Sequence, residues 1–269
     1  MIAQAFSAEV FKLLRNRWTC FWAFGFMPVF VLLSGLIEES VTRAYVGDPL
    51  KYANPLRYAY DGLATMQPSI AQLFAIVGAA ILFAGEYRWE TWRAILPRTD
   101  RTAVLVAKLL VFALAVSVSI FDCGFARFLV GLYDAMLTGS ADWPPNAATG
   151  LLIGFVAAFL QLMVTGALAM LIAVISRSLM AAIVGTLVIL VALDLSTLRF
   201  RFETGEPWLA ALPNFAGRAA REFGLAVMDE PDAIGLHLAV PGVVAMIAWT
   251  LLLAFAAIVA FRRQDLSRE

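Results

Sequence analysis

Thr102–Leu137 reads TAVLVAKLLVFALAVSVSIFDCGFARFLVGLYDAML, an apolar run interrupted only by Lys108, Asp122, Arg127 and Asp134 among its ionisable residues. As one helix it would extend about 54 Å. The hydrocarbon core of a bilayer is about 30 Å thick. The run therefore predicts a membrane-crossing helix that tilts, breaks near Cys123-Gly124, or projects into water at one end. The whole composition agrees. Of 269 residues, 62% are hydrophobic and 15% charged, and mean hydropathy is +0.82. A single water-soluble core does not hide that much apolar surface.

Five further runs flank this one: Trp18–Ile37, Ser69–Gly85, Gly150–Ile175, Leu179–Leu198 and Leu238–Phe261. The expected fold is all-α and integral to the membrane, a single transmembrane domain over residues 1–269 with six transmembrane helices. Before the first span, Phe6, Val10, Leu13 and Leu14 oppose Lys12, Arg15 and Arg17, which predicts an amphipathic helix in the interface. The apolar run in Met1–Ile37 is too long for a cleaved leader, so it reads as a retained anchor. The segment 199–237 carries Pro207, Pro213 and Pro231. Within it, Phe215, Ala219, Phe223 and Val227 recur at helical spacing with Arg218 and Arg221 off the stripe, which predicts a short interfacial helix.

Six spans put both termini on one side. With that side cytoplasmic, the inner segments carry Lys12, Arg15, Arg17, Arg88, Arg93, Arg98, Arg101, Lys108, Arg177, Arg262, Arg263 and Arg268. The longer outer segments carry fewer basic residues. Basic density therefore favours a cytoplasmic N-terminus in a multi-pass membrane protein; the resemblance described below implies the plasma membrane, the bacterial inner membrane.

The sequence also excludes chemistry. Twenty Lys plus Arg balance twenty Asp plus Glu, so no basic field draws nucleic acid. The lysines are Lys12, Lys51 and Lys108, and none follows a glycine as a P-loop lysine does. Cys20 and Cys123 each lie in an apolar run, with neither disulfide nor zinc spacing. His237 is the single histidine. Tyr133-Asp134 with Asp194 faintly suggests a membrane aspartyl protease, but Val191-Ala192-Leu193 stands where that motif needs glycine. No catalytic, cofactor or metal residue is assigned.

The segment between spans two and three reads Gly85-Glu86-Tyr87-Arg88-Trp89-Glu90-Thr91-Trp92-Arg93-Ala94-Ile95-Leu96-Pro97-Arg98-Thr99-Asp100-Arg101. Trp89, Trp92 and Leu96 share one helical face. Pro97 ends that helix, and Thr99 or Asp100 caps the next. Two tryptophans on a short helix serve either as a headgroup anchor or as aromatic anchors in a cleft of a soluble partner.

This segment resembles the membrane subunit of type II ABC exporters. In that family an acidic residue closes span two, and a Gly-Thr pair, a leucine-rich turn, a proline, an arginine and a lysine follow. Here stand Glu86, Thr91, Ile95-Leu96-Pro97, Arg101 and Lys108; Glu90 replaces the family glycine. The resemblance extends as a pattern to the amphipathic start and the outer segment before the last span. It implies a permease that pairs with a second permease, identical or paralogous, on separate ATP-binding cassette subunits. ATP and Mg would sit in those ATPases, with no cofactor in this chain. The resemblance assigns Glu86, Trp89, Glu90, Trp92, Arg93, Leu96 and Arg101 to coupling with the ATPase, and Arg177 to a second cytoplasmic contact. The cargo would be an amphipathic peptide, drug or lipid.

Charged residues within spans are functional candidates. Asp122 lies deep, and is expected at a helix interface or on the translocation path. Arg127 and Asp194 read either as a cross-helix pair or as a snorkelling arginine and an interfacial aspartate. Two other functions compete with the exporter. A self-contained secondary transporter would need internal repeats and broken helices, and no repeat is visible. The other is a membrane sensor or assembly subunit that transports nothing.

Overall fold

In the computed structural model, which describes residues 2–46, 53–88, 100–197, 207–229 and 236–264, nearly every residue is helical and no strand occurs among those described. In chain order, α1 (Ile2–Arg15) precedes a short α2 (Arg17–Cys20), a π-helical turn at Phe21–Gly25, and α3 (Phe26–Val46). Then come α4 (Pro55–Ala64), α5 (Leu73–Arg88), α6 (Arg101–Thr138), α7 (Ala147–Ser176) and α8 (Leu179–Thr197). A 3₁₀ turn at Pro207–Ala211 leads to α9 (Pro213–Asp229) and α10 (Leu236–Arg263). Among the described residues, five helices are long and apolar enough to cross a membrane: Arg17–Tyr45, Arg101–Thr138, Ala147–Ser176, Leu179–Ser196 and Ala239–Arg263. The protein is thus a helical, multi-pass membrane protein.

The long run is one uninterrupted helix. Asp100 Oδ2 accepts from the Ala103 amide at 3.2 Å to start α6, and Gly139, left-handed at φ 75°, ends it. Of the three alternatives for this run, the break near Cys123-Gly124 does not occur. Gly124 is needed for packing instead: a Cβ there would lie 2.7 Å from Leu63 Cδ2.

The expected second span differs most. α5 alone, at 16 residues, reaches about 24 Å. It is preceded by α4, which was expected in an outer loop. α4 begins with an Asn54 cap whose Oδ1 accepts from the Arg57 amide at 2.9 Å, followed by Pro55 at the first turn. Pro55 and Tyr58 pack on Gly131, and Leu63 on Gly124, so α4 runs antiparallel along α6. After a turn around Met66–Gln72, α5 continues in the same direction until Glu86 reaches Lys108. From Gly131 to Lys108 the path covers about 35 Å of α6. α4 and α5 together form one broken partner to that helix.

Non-helical backbone among apolar helices must be satisfied internally. The turn carries its own polar set. The Gln67 carbonyl accepts from Gln161 Nε2 at 2.9 Å and from Gln72 Nε2. Thr165 Oγ1 donates to Gln72 Oε1. Ser69 donates to Asp194. The π turn is treated likewise: Ser119 Oγ donates to the Phe24 carbonyl at 2.7 Å.

α7 is the central helix, touching α5, α8, α9 and α10. Its buried face is built from small residues, among them Gly150, Gly154, Ala157, Ala158, Ala169 and Ala173. Small residues let neighbouring backbones approach closely. The predicted stripe of the 199–237 segment is realised in α9. Phe215 and Ala219 are buried, while Phe223 and Val227 are half-buried. α9 also packs closely along α7. Gly217 meets Gln161, and the Gly224 carbonyl lies 2.8 Å from where a Cβ on Gly150 would sit. Gly150, Gly217 and Gly224 let α9 pack closely on α7.

Candidate functional site

α1 carries Phe6, Val10 and Leu13 against the core. Glu9 is three residues from Phe6 and four from Leu13, so it shares that face and is 5% exposed. An unpaired carboxylate there would be costly. The partner comes from α6: Lys108, 1% exposed, extends its ammonium to Glu9 Oε2 at 2.9 Å, Glu86 Oε1 at 2.7 Å and the Leu82 carbonyl at 2.7 Å. Three acceptors match the three protons of an ammonium. Lys12, half-exposed, adds bonds of 2.6 Å to Glu9 and 3.1 Å to Glu86. Two lysines and two glutamates thus join α1, α5 and α6 through one buried, charge-balanced cluster.

The electrostatics follow from this geometry. Burial opposes ionisation of Glu9, but the Lys108 charge and the hydrogen bonds from both lysines outweigh it, holding the carboxyl below the ordinary glutamate range. Burial likewise works against the charged form of Lys12. The hydrogen bond to Glu9 and the charge of Glu86 outweigh it and raise the ammonium above the ordinary lysine range.

A second set of bonds lies at the same end. Tyr87 donates to Gln264 Oε1 at 2.9 Å, and Arg101 donates to the Gln264 carbonyl at 2.7 Å. Arg101 also reaches the Phe261 carbonyl at 3.4 Å, and Gln264 Nε2 donates to the Val174 carbonyl. Both flanks of the 89–99 segment are therefore tied to the end of α10, and through Gln264 to α7.

Glu86 and Arg101 were assigned to contact with an ATPase. Glu86 is buried on Lys108, and Arg101 donates to backbone carbonyls of this chain. Trp89, Glu90, Trp92, Arg93 and Leu96 lie outside the described residues. Arg177 closes α7 in the left-handed conformation, φ 53°, uncommon for a non-glycine residue.

Of the two readings of Arg127 and Asp194, the cross-helix pair is not formed. Arg127 pairs with Glu38 at 3.1 Å and not with Asp194. Asp194 accepts from Ser69 and, at 2.7 Å, from Asn214 Nδ2. The turn in the broken helix delivers Ser69 and the start of α9 delivers Asn214, which no span count reveals. Asp122 is exposed on α6, with no hydrogen bond or ion pair to a described residue, and so is not in a helix interface of this chain. Asp134 belongs to a separate cluster at the far end of α6. There Arg43 bonds Asp134, Glu39 at 2.8 Å and Thr138 at 2.7 Å, and Tyr58 donates to Glu39 at 3.1 Å. Asp134 and Asp194 thus have different partners and form no carboxylate pair.

Sequence reasoning missed Glu9 and Gln264. Glu9 had a signal, an acid on the apolar face of an amphipathic helix. Gln264, one polar residue after Arg262-Arg263, had none. Among the described residues no group of His, Cys, Asp and Glu is arranged to hold a metal ion. Compared with models of known protein families and with curated proteins, the chain matches none.

Proposed function

We propose that this chain is the permease subunit of an ATP-driven ABC exporter, paired with a second permease and driven by separate ATPase subunits. One observation carries the reading. The segment that resembles a coupling element, 89–99, is held at both flanks by bonds that reach α1, α6, α7 and α10. A force applied to a segment anchored in this way moves several helices together, which is what a coupling element must do. Salt-bridged or hydrogen-bonded flanks are not required of a tryptophan belt that only marks the headgroup level. In this reading α4 and α5 jointly supply the second of six spans, and the cluster end faces the cytoplasm. The chain breaks no bond itself; Trp89, Trp92 and Leu96 make the contact with the ATPase. Asp122, exposed on α6, faces the lipid or the second permease. Affinity purification of the tagged full chain from its native membrane tests the proposal. A stoichiometric ATP-binding cassette protein is the expected co-purified partner, and its absence from a complex that still transports would overturn the reading.

One observation favours a second reading, a self-contained secondary transporter. The helix broken at Met66–Gln72 places Gln67, Ser69, Gln72 and Asp194 together among apolar helices, as such transporters do at their binding sites. That reading predicts ion-gradient-driven transport by the chain reconstituted alone.

A further inference from the structure

Of the ionisable residues along α6, Asp122 alone is exposed. Lys108 and Asp134 are buried in the two charge clusters, and half-buried Arg127 pairs with Glu38 at 3.1 Å. Asp122 makes no hydrogen bond or ion pair to a described residue. Its depth follows from the same helix. Lys108 lies about 21 Å before it along the axis and Asp134 about 18 Å after it. Any placement of a hydrocarbon core of about 30 Å that leaves both clusters outside sets Asp122 about 9 Å or more from either boundary. A lysine or arginine snorkels out of such a position on a long stem; an aspartate side chain is too short to do so. Charged groups at this depth face a bundle interior or a water-filled cavity and pair there. Asp122 instead interrupts an exposed apolar stripe formed by Leu114, Val118, Phe121, Phe125 and Leu129. Beside the stripe, Phe121 and Phe125 also line an apolar groove of about 410 Å³ between α4, α6 and α7.

We infer that this face of α6 docks a membrane-spanning helix of a different protein chain, one that carries a lysine or arginine at the depth of Asp122. Charge complementarity selects the partner. Lipid tails offer a carboxylate no donor. A second copy of this chain offers a like charge: two copies meeting on the stripe about a two-fold axis along the membrane normal bring Asp122 to Asp122 at one depth. The basic residues described in a second copy do not repair this. Arg127 lies about 140° around α6 from Asp122 and is held by Glu38. Arg218 and Arg221 line a cavity beside Asp194. Lys12 and Lys108 belong to the charge cluster at one end of the helix. An unlike helix supplies the cation at the right depth, and its apolar side chains seat on the stripe and in the groove. The docking face does not depend on the exporter reading; under that reading its occupant is the second permease, which is then a different chain from this one.

The test reconstitutes the purified, fluorescently labelled full chain in lipid vesicles with a labelled leucine–alanine transmembrane peptide carrying one lysine at its centre, or leucine at that position. Energy transfer reads the association. The lysine peptide is expected to bind about fivefold or more tighter than the leucine peptide, the scale of a polar contact between membrane helices. Asp122→Leu should abolish that preference. Asp122 bonds nothing described in its own chain, so the variant should unfold in mixed micelles at the same denaturant concentration as the unaltered chain. Earlier unfolding would place the partner of Asp122 within this chain and overturn the docking face. Equal binding of the two peptides to the unaltered chain overturns it as well, and that comparison needs no variant. A preference that survives Asp122→Leu overturns Asp122 as the docking group. Self-association of the labelled chain that Asp122→Leu weakens overturns the unlike partner. None of these readouts involves an ATPase, so a missing ATPase in co-purification and a missing lysine preference are separate failures.

Discussion

Replacing Lys108 with methionine removes the centre of the charge cluster while keeping a long unbranched side chain. Glu9 and Glu86 are 5% and 8% exposed, so both carboxylates would be left buried with only the half-exposed Lys12 nearby. Breaking a buried ion pair by removing one partner costs about 3–5 kcal/mol, because the remaining charge is uncompensated. Lys108→Met should fall in that range. Lys12→Met should cost about 1 kcal/mol or less, since its side chain is 50% exposed and solvent screens its interactions. Adding Glu86→Gln to Lys108→Met should recover part of the loss, as removing both partners leaves less buried charge than removing one. The two residues touch, so a coupling energy of about 0.5–3 kcal/mol is expected in the double-mutant cycle. Reversible unfolding in mixed detergent micelles reads all four quantities. A Lys108→Met penalty no larger than that of Lys12→Met would refute the buried-cluster argument.

Other outcomes follow from the same structure. As pH falls below the ordinary glutamate range toward the lowered folded-state value of Glu9, the stability supplied by its ionised form is lost. The contribution of Lys12 is fully present below the ordinary lysine range and is lost only as pH rises through its raised folded-state value. A melting-temperature profile should therefore show an acid shoulder that Glu9→Gln removes. Gly62→Ala should destabilise by about 1–3 kcal/mol, because its Cβ would press on the Cys123 carbonyl and lie 2.9 Å from Gly124 Cα. Gly85→Ala, facing open space in a helix, should be neutral or stabilising by up to about 1 kcal/mol; thermal unfolding compares the two. In a background free of Cys20 and Cys123, cysteine at exposed Ala141 should react with an impermeant thiol reagent in intact cells, and cysteine at exposed Ser176 should not.

The apolar runs were legible because helices that face lipid must be continuous and long, and composition alone records that. Glu86 and Lys108 were legible as a pattern, and they proved to be bonded to each other. The broken partner of α6 was not read, although Asn54-Pro55 is a helix start and Gln67-Pro68 a helix stop. A hydropathy window reports mean polarity and does not report that a polar turn finds Gln161 and Asp194 on other helices. Arg127 and Asp194 were left either as a cross-helix pair or as a snorkelling arginine and an interfacial aspartate, because the choice of partner is set by rotation and helix contacts, which a span count lacks. α9 was assigned to an interface because its stripe is amphipathic. The glycines at Gly150, Gly217 and Gly224, which let it pack closely on α7, were present in the sequence without a rule to join them.

In the proposed exporter, the 89–99 segment is the point where an ATPase takes hold. The most direct measurement is co-purification of the ATPase with the Trp89→Ala, Trp92→Ala double variant. If the two tryptophans anchor the partner, each is a hot spot costing about 2 kcal/mol or more on truncation. The variant should then insert and pair normally, lose the ATPase, and lose transport-coupled ATP hydrolysis. A double variant that keeps the full complement of ATPase would contradict the account and leave those tryptophans as headgroup anchors.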